Sequence, residues 1–69
     1  MISYKIKVED LSSQGDGRVI REALYDAGAD NVSVNAARKE VVIDSDLSVE
    51  EIYEIIEDAG FTPTDLELI

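Results

Sequence analysis

The hydrophobic period of this chain switches from strand-like to helix-like and back twice in the same order, and that ordering restricts the fold more than any other feature. Ile2, Tyr4, Ile6 and Val8 alternate with Ser3, Lys5 and Lys7, the period of a half-buried strand with a polar outer side. A polar turn with two glycines follows from Glu9 to Gly17. From about Gly17 the period becomes helical. Ile20, Ala23, Leu24 and Ala27 fall at i, i+3, i+4 and i+7 with Val19 flanking them, and Gly28 is placed to end the helix in the left-handed conformation. Val32 and Val34 alternate with Asn31, Ser33 and Asn35 as a short strand. Asn35 to Lys39 reads as a hairpin connection, Val41-Val42-Ile43 as the returning strand, and Asp44-Ser45-Asp46 as its closing turn.

The second helix has the clearer start. Ser48 and Glu51 have the spacing of a capping box, with Leu47 and Ile52 as a hydrophobic staple across it. Val49, Ile52, Ile55, Ile56 and Ala59 are expected to form its buried stripe, Glu50, Glu54, Glu57 and Asp58 face water, and Gly60 ends it. In the final segment Leu66 and Leu68 alternate, while Pro63 lacks a donor N–H and assigns this strand to a sheet edge. The order strand, helix, strand, strand, helix, strand, with right-handed crossovers, predicts an α+β, ferredoxin-like βαββαβ sandwich. One four-stranded antiparallel sheet would carry both helices on one face.

Composition narrows function. At 69 residues the chain is one small domain, 1–69, without room for a large enclosed pocket. Sixteen acidic against six basic residues give a net charge of -10, which argues against a nucleic-acid groove. With no Cys and no His there is no thiolate or imidazole ligand and no cysteine nucleophile, so the chain is expected not to be an enzyme. No apolar run approaches the roughly 20 residues of a membrane span and no leader pattern is visible; a cytoplasmic location without membrane insertion is expected.

With this pattern in place, the chain resembles the heavy-metal-associated domain of copper chaperones and of the N-terminal arms of metal-transport ATPases. The family reads Gly-Met-Thr-Cys-x-x-Cys after its first strand; here Asp10-Leu11-Ser12-Ser13-Gln14-Gly15-Asp16 occupies that stretch. Ala23-Leu24 stands where the family has an Ala-Leu pair, Asn31 to Asn35 resembles its second strand, and Ile56-Glu57-Asp58-Ala59-Gly60-Phe61 matches its closing signature. The resemblance maps the two metal-binding cysteines onto Ser13 and Asp16, and the family's Met, which packs beneath the loop, onto Leu11. A neutral hydroxyl and one hard carboxylate do not suit Cu(I), so tight Cu(I) binding and a resident cofactor are not expected. What the resemblance implies is a degenerate, non-catalytic module for protein interaction or regulation, with a protein partner that belongs to a metal-transport system.

Several residues remain as candidates. Ser13 and Asp16 have the spacing of a degenerate capping box, the plain structural reading. Alternatively Asp10 and Asp16, with Ser12 or Ser13, would offer oxygens to a hard divalent metal, or Gly15, Gly17 and Arg18 would hold a small anion at the helix start. Asp44 and Asp46 are expected at the opposite pole, preceding and capping the second helix. Arg38, Lys39 and Phe61 are expected to share the pole of the 10–18 loop. Phe61 is either a lid on the core edge or an aromatic anchor, and Tyr25, near Arg18 and Arg21, either a partly exposed helix residue or part of an interface. The acidic face of the second helix is either simply solvated or a source of steering toward a basic partner.

Overall fold

A computed structural model describes residues 2–69. The elements are β1 (Ile2–Val8), α1 (Gln14–Asp26), β2 (Asn31–Asn35), β3 (Glu40–Ser45), α2 (Val49–Asp58) and β4 (Pro63–Leu68). They form one antiparallel sheet of order β2-β3-β1-β4. Each helix therefore carries the chain past one intervening strand, as the ferredoxin-like arrangement requires. Register follows hydrophobicity: Tyr4 lies opposite Ile43 and Ile6 opposite Val41, so the inward residues of β1 and β3 meet on one face. Ile20 and Leu24 of α1 and Ile52 and Ile56 of α2 close over them, fully buried. Lys5 and Lys7 point to the other face, where each approaches the Glu40 carboxylate to 3.7 Å.

Local signals explain how the helices begin and end. Ser48 Oγ accepts from the Glu51 N–H at 3.2 Å and Glu51 Oε1 accepts from the Ser48 N–H at 3.5 Å, completing the expected capping box. Both helices stop in the same way. Gly28 and Gly60 have φ of 107° and 96°, a region in which a side chain is costly. Ala29 N–H then donates to Leu24 O at 3.0 Å and Phe61 N–H to Ile56 O at 3.2 Å, the long bond of a Schellman cap.

Four local expectations need correction. Helix α1 begins at Gln14, so Gly15 and Gly17 lie in its first turns and not in a loop. The Asp44-Ser45 pair belongs to β3, because pairing with β1 continues to Ser3 and Ile2. Asp44 accepts from Ser3 Oγ, and the α2 cap is Ser48. Val49 is exposed, in the first turn of α2.

Candidate functional site

The segment after β1 is stitched down from two sides. Val8 N–H donates to Lys39 O at 2.9 Å and Glu9 N–H to Thr62 O at 3.0 Å. The Asp10 carboxylate accepts from the Thr62 N–H at 2.8 Å and from Thr62 Oγ1 at 3.4 Å. The Lys39 ammonium donates to Glu9 O at 3.1 Å. The loop, the β2–β3 turn and the residues after α2 thus share one pole. Leu11 anchors them; it is fully buried, so an apolar side chain packs beneath the loop.

At the start of α1 the side chains are already engaged. Ser13 is the N-cap, and its hydroxyl accepts from the Asp16 N–H at 3.2 Å. Asp16 reaches back one residue further than an ordinary capping box, accepting from Ser12 N–H at 3.2 Å and Ser12 Oγ at 3.0 Å. These bonds from the Ser12 backbone, then the Ser12 hydroxyl, hold the Asp16 carboxyl below the usual carboxylate range. Asp10 and Asp16 each answer a different donor, and among the described residues no group of three or more His, Cys, Asp or Glu is placed to hold a metal ion. The carboxylates at Asp44 and Asp46 stand by the far end of β1, where Ser3 pairs with Asp44.

Gly17 has a structural task that its place in a polar stretch concealed. A Cβ there would lie 2.7 Å from Val34 Cγ1 and 3.3 Å from Val34 Cβ, so its bare backbone lets α1 sit directly on β2. Arg18 and Arg21 are exposed on α1, beside β2 and away from the Asp10–Thr62 stitch. Tyr25 is 43% exposed, yet its hydroxyl is committed: it accepts from Val32 N–H at 3.0 Å and donates to Asn31 Oδ1 at 3.4 Å. Arg38 is exposed on the β2–β3 turn, where its N–H donates to Asn35 Oδ1 at 3.2 Å. Phe61 is half-buried against the core as the apolar residue of the second Schellman cap, which favours the core-edge reading over an exposed anchor.

The sequence reading missed the cleft between α1 and the end of β2, about 470 Å³, which Arg18, Arg21 and residues 34–37 line. Its one sequence signal was Gly17 at the start of the helical period, a residue that costs helix stability unless packing requires it. No helix among the described residues is long and apolar enough to cross a membrane.

Comparison with known proteins fits this geometry. A copper binding domain from HMA7, a P-type ATPase, superposes with TM-score 0.86 at 23% identity, covering 100% of this chain and 95% of that one. The heavy metal binding protein TM0320 from Thermotoga maritima gives 0.88 at 21%, covering 97% and 98%. The copper chaperone Atx1 from Synechocystis PCC6803 gives 0.78 at 26%, covering 87% and 97%. No curated protein sequence matches significantly. The family model for the heavy-metal-associated domain matches residues 5–62. That match spans most of the sheet and both helices, and the chain, cysteine-free as it is, belongs to the heavy-metal-associated domain family.

Proposed function

We propose that this domain keeps the heavy-metal-associated scaffold and has given up its soft-metal chemistry, and that it works as a cytoplasmic, non-catalytic interaction or regulatory module beside a metal-transport protein. The observation that carries this reading is the state of positions 13 and 16, which the family resemblance aligns with the metal-binding cysteines. Both are hard oxygen residues, and both are spent on the cap of α1. Soft Cu(I) selects thiolate and thioether ligands, and Met1 is the one sulfur in the sequence. Without Cys or His, the chain lacks the Ser–His and Cys–His pairs on which many covalent enzymes rely. What the scaffold retains is a stitched pole and an exposed helix α1, and these are the surfaces assigned to docking. Relatives described as a copper chaperone and as a copper binding domain of a P-type ATPase supply the class of partner.

Competition against a chromogenic Cu(I) chelator under reducing conditions tests the loss of metal chemistry. The domain should leave the chelator's absorbance unchanged; transfer at micromolar or tighter affinity overturns the reading. Parallel titrations with Mg²⁺, Ca²⁺ and phosphate, followed by amide chemical shifts, should leave residues 10–18 in place. Localised shifts there would make the domain a sensor of a hard ion instead.

A further inference from the structure

The chain has sixteen carboxylates and only six cationic side chains, so each cation has an abundance of possible partners. Lys5 and Lys7 share Glu40, and Lys39 bonds to the Glu9 carbonyl. Arg18, Arg21 and Arg38 make no side-chain ion pair or hydrogen bond with any of the described residues. Two of these three, Arg18 and Arg21, stand in the cleft of about 470 Å³ between α1 and the end of β2, with Gln14 beside them and residues 34–37 opposite. No carboxylate lines it. On a molecule this acidic, the cleft is a local concentration of unanswered donors.

Its other wall is an open sheet edge. Strand β2 is flanked by β3 on one side only. Alternate residues of a strand aim their N–H groups to the same side, and Val32 N–H is turned away from β3 into the Tyr25 hydroxyl. Val34, two residues on, therefore presents its N–H outward at the cleft. Edge strands are ordinarily guarded by charge or proline. The opposite edge, β4, has Pro63, Asp65 and Glu67, whereas β2 reads Asn-Val-Ser-Val-Asn. Tyr25 seals one end of the β2 edge and the other end is left open beside two arginines.

We propose that this cleft docks an extended acidic segment of a partner protein, which pairs with the β2 edge at Val34 and seats alternate carboxylates on Arg18 and Arg21. The two arginines are three residues apart on α1, hence on one helix face, and alternate residues of a strand project to one side about 7 Å apart, within reach of two flexible guanidinium groups. Charge decides the class of partner: a guanidinium takes a carboxylate in a two-pronged bond that lysine does not offer. The net charge of -10 opposes approach from afar, but at about 0.15 M salt the Debye length is about 8 Å and only the local charges are felt. The proposal rests on the interaction-module reading and adds to it the partner's chemistry and the place where it binds.

The test uses the whole domain and a synthetic strand-forming peptide, Thr-Glu-Val-Glu-Val-Asp-Thr with blocked ends, alongside the same peptide with Gln and Asn in place of the acids. Amide shifts should move at residues 14–21 and 33–37 with the acidic peptide only, and the Val34 amide should gain protection from hydrogen exchange. Arg18→Gln with Arg21→Gln, both at exposed helix positions, should weaken binding at least tenfold while leaving the spectrum of the free domain intact. Equal response to the neutral peptide, an unchanged affinity in the double variant, or no shifts at millimolar peptide overturns the proposal. So does inorganic phosphate if it reproduces the shifts and displaces the peptide at equal concentration, since the cleft would then be a small-anion site only. Failure here leaves the Cu(I) result untouched, so the cleft and the loss of metal chemistry stand or fall separately.

Discussion

At the scale of single residues, the pole of the domain is organised by side chains that each answer one local demand. Asp16 is the clearest. Its carboxylate accepts from the Ser12 backbone and hydroxyl, and its lowered pKa states that the folded chain prefers the ionised form. The sign follows from linkage. A depressed folded pKa contributes stability at pH above the unfolded carboxylate value, about 3.9 for Asp, and loses it as pH falls through the lower folded value. Asp16→Ala should therefore be less stable than the parent at neutral pH, and the gap should close below about pH 4. Paired urea melts across pH measure it; a gap that persists unchanged into strong acid would mean the carboxylate's charge is irrelevant. Lys39 answers a different demand. It holds φ at 57°, an unusual region for a residue with a side chain, while its carbonyl and ammonium tie β1 and the following loop to the turn.

At the scale of elements, helix α1 separates what a sequence states from what packing decides. Both Gly15 and Gly17 look like helix breakers, and replacing either by Ala in an isolated helix would stabilise it by about 1 kcal/mol. In the folded domain the two should part. A Cβ at Gly15 meets nothing closer than Ser13 Oγ at 3.7 Å, whereas at Gly17 it would press on Val34 at 2.7 Å. Gly15→Ala should raise stability by up to about 1 kcal/mol. Gly17→Ala should lower it by about 1 kcal/mol or more, because overpacking against a stiff β-branched side chain outweighs the propensity gain. Thermal or denaturant unfolding of both variants checks the split; the same sign for both would refute the close approach of α1 to β2. The element order, the capping box at Ser48 and the glycine stops were legible because they rest on local pattern. The true start of α1 was not, since two glycines imitate a turn and only the tertiary contact with Val34 explains one of them. Nor was the Tyr25–Val32 bond, which joins a helix to the outward side of an edge strand and has no local signature. The candidate residues of the loop were found by resemblance and spacing, but the cleft beside them needed the strand order.

At the scale of the whole molecule, net charge bears on stability and ancestry bears on the start of α1. Neither helix has a basic residue in its last turn, and α1 ends on Asp26 while α2 ends on Glu57 and Asp58, the wrong sign for the helix dipole. Added to a net charge of -10, this predicts a fold under electrostatic tension. Raising NaCl from about 0.01 M to about 1 M shortens the Debye length from about 30 Å to about 3 Å and should raise Tm by several degrees; a Tm independent of salt would show the acidic surface to be neutral in energy. The central claim concerns ancestry: the cap formed by Ser13 and Asp16 stands where a soft-metal site would be. Ser13→Cys with Asp16→Cys puts two thiols on one turn at a helix N-terminus, where the dipole favours thiolates, for about 1 kcal/mol of lost capping. The direct measurement is Cu(I) titration of that double variant against the chelator, beside an Asp10→Cys/Ser13→Cys control that keeps the spacing and shifts the register. The account predicts one tightly held equivalent in the first variant, with amide shifts confined to residues 10–18 and the surroundings of Phe61, and weaker binding in the control. A folded double variant that binds Cu(I) no better than the control would contradict it.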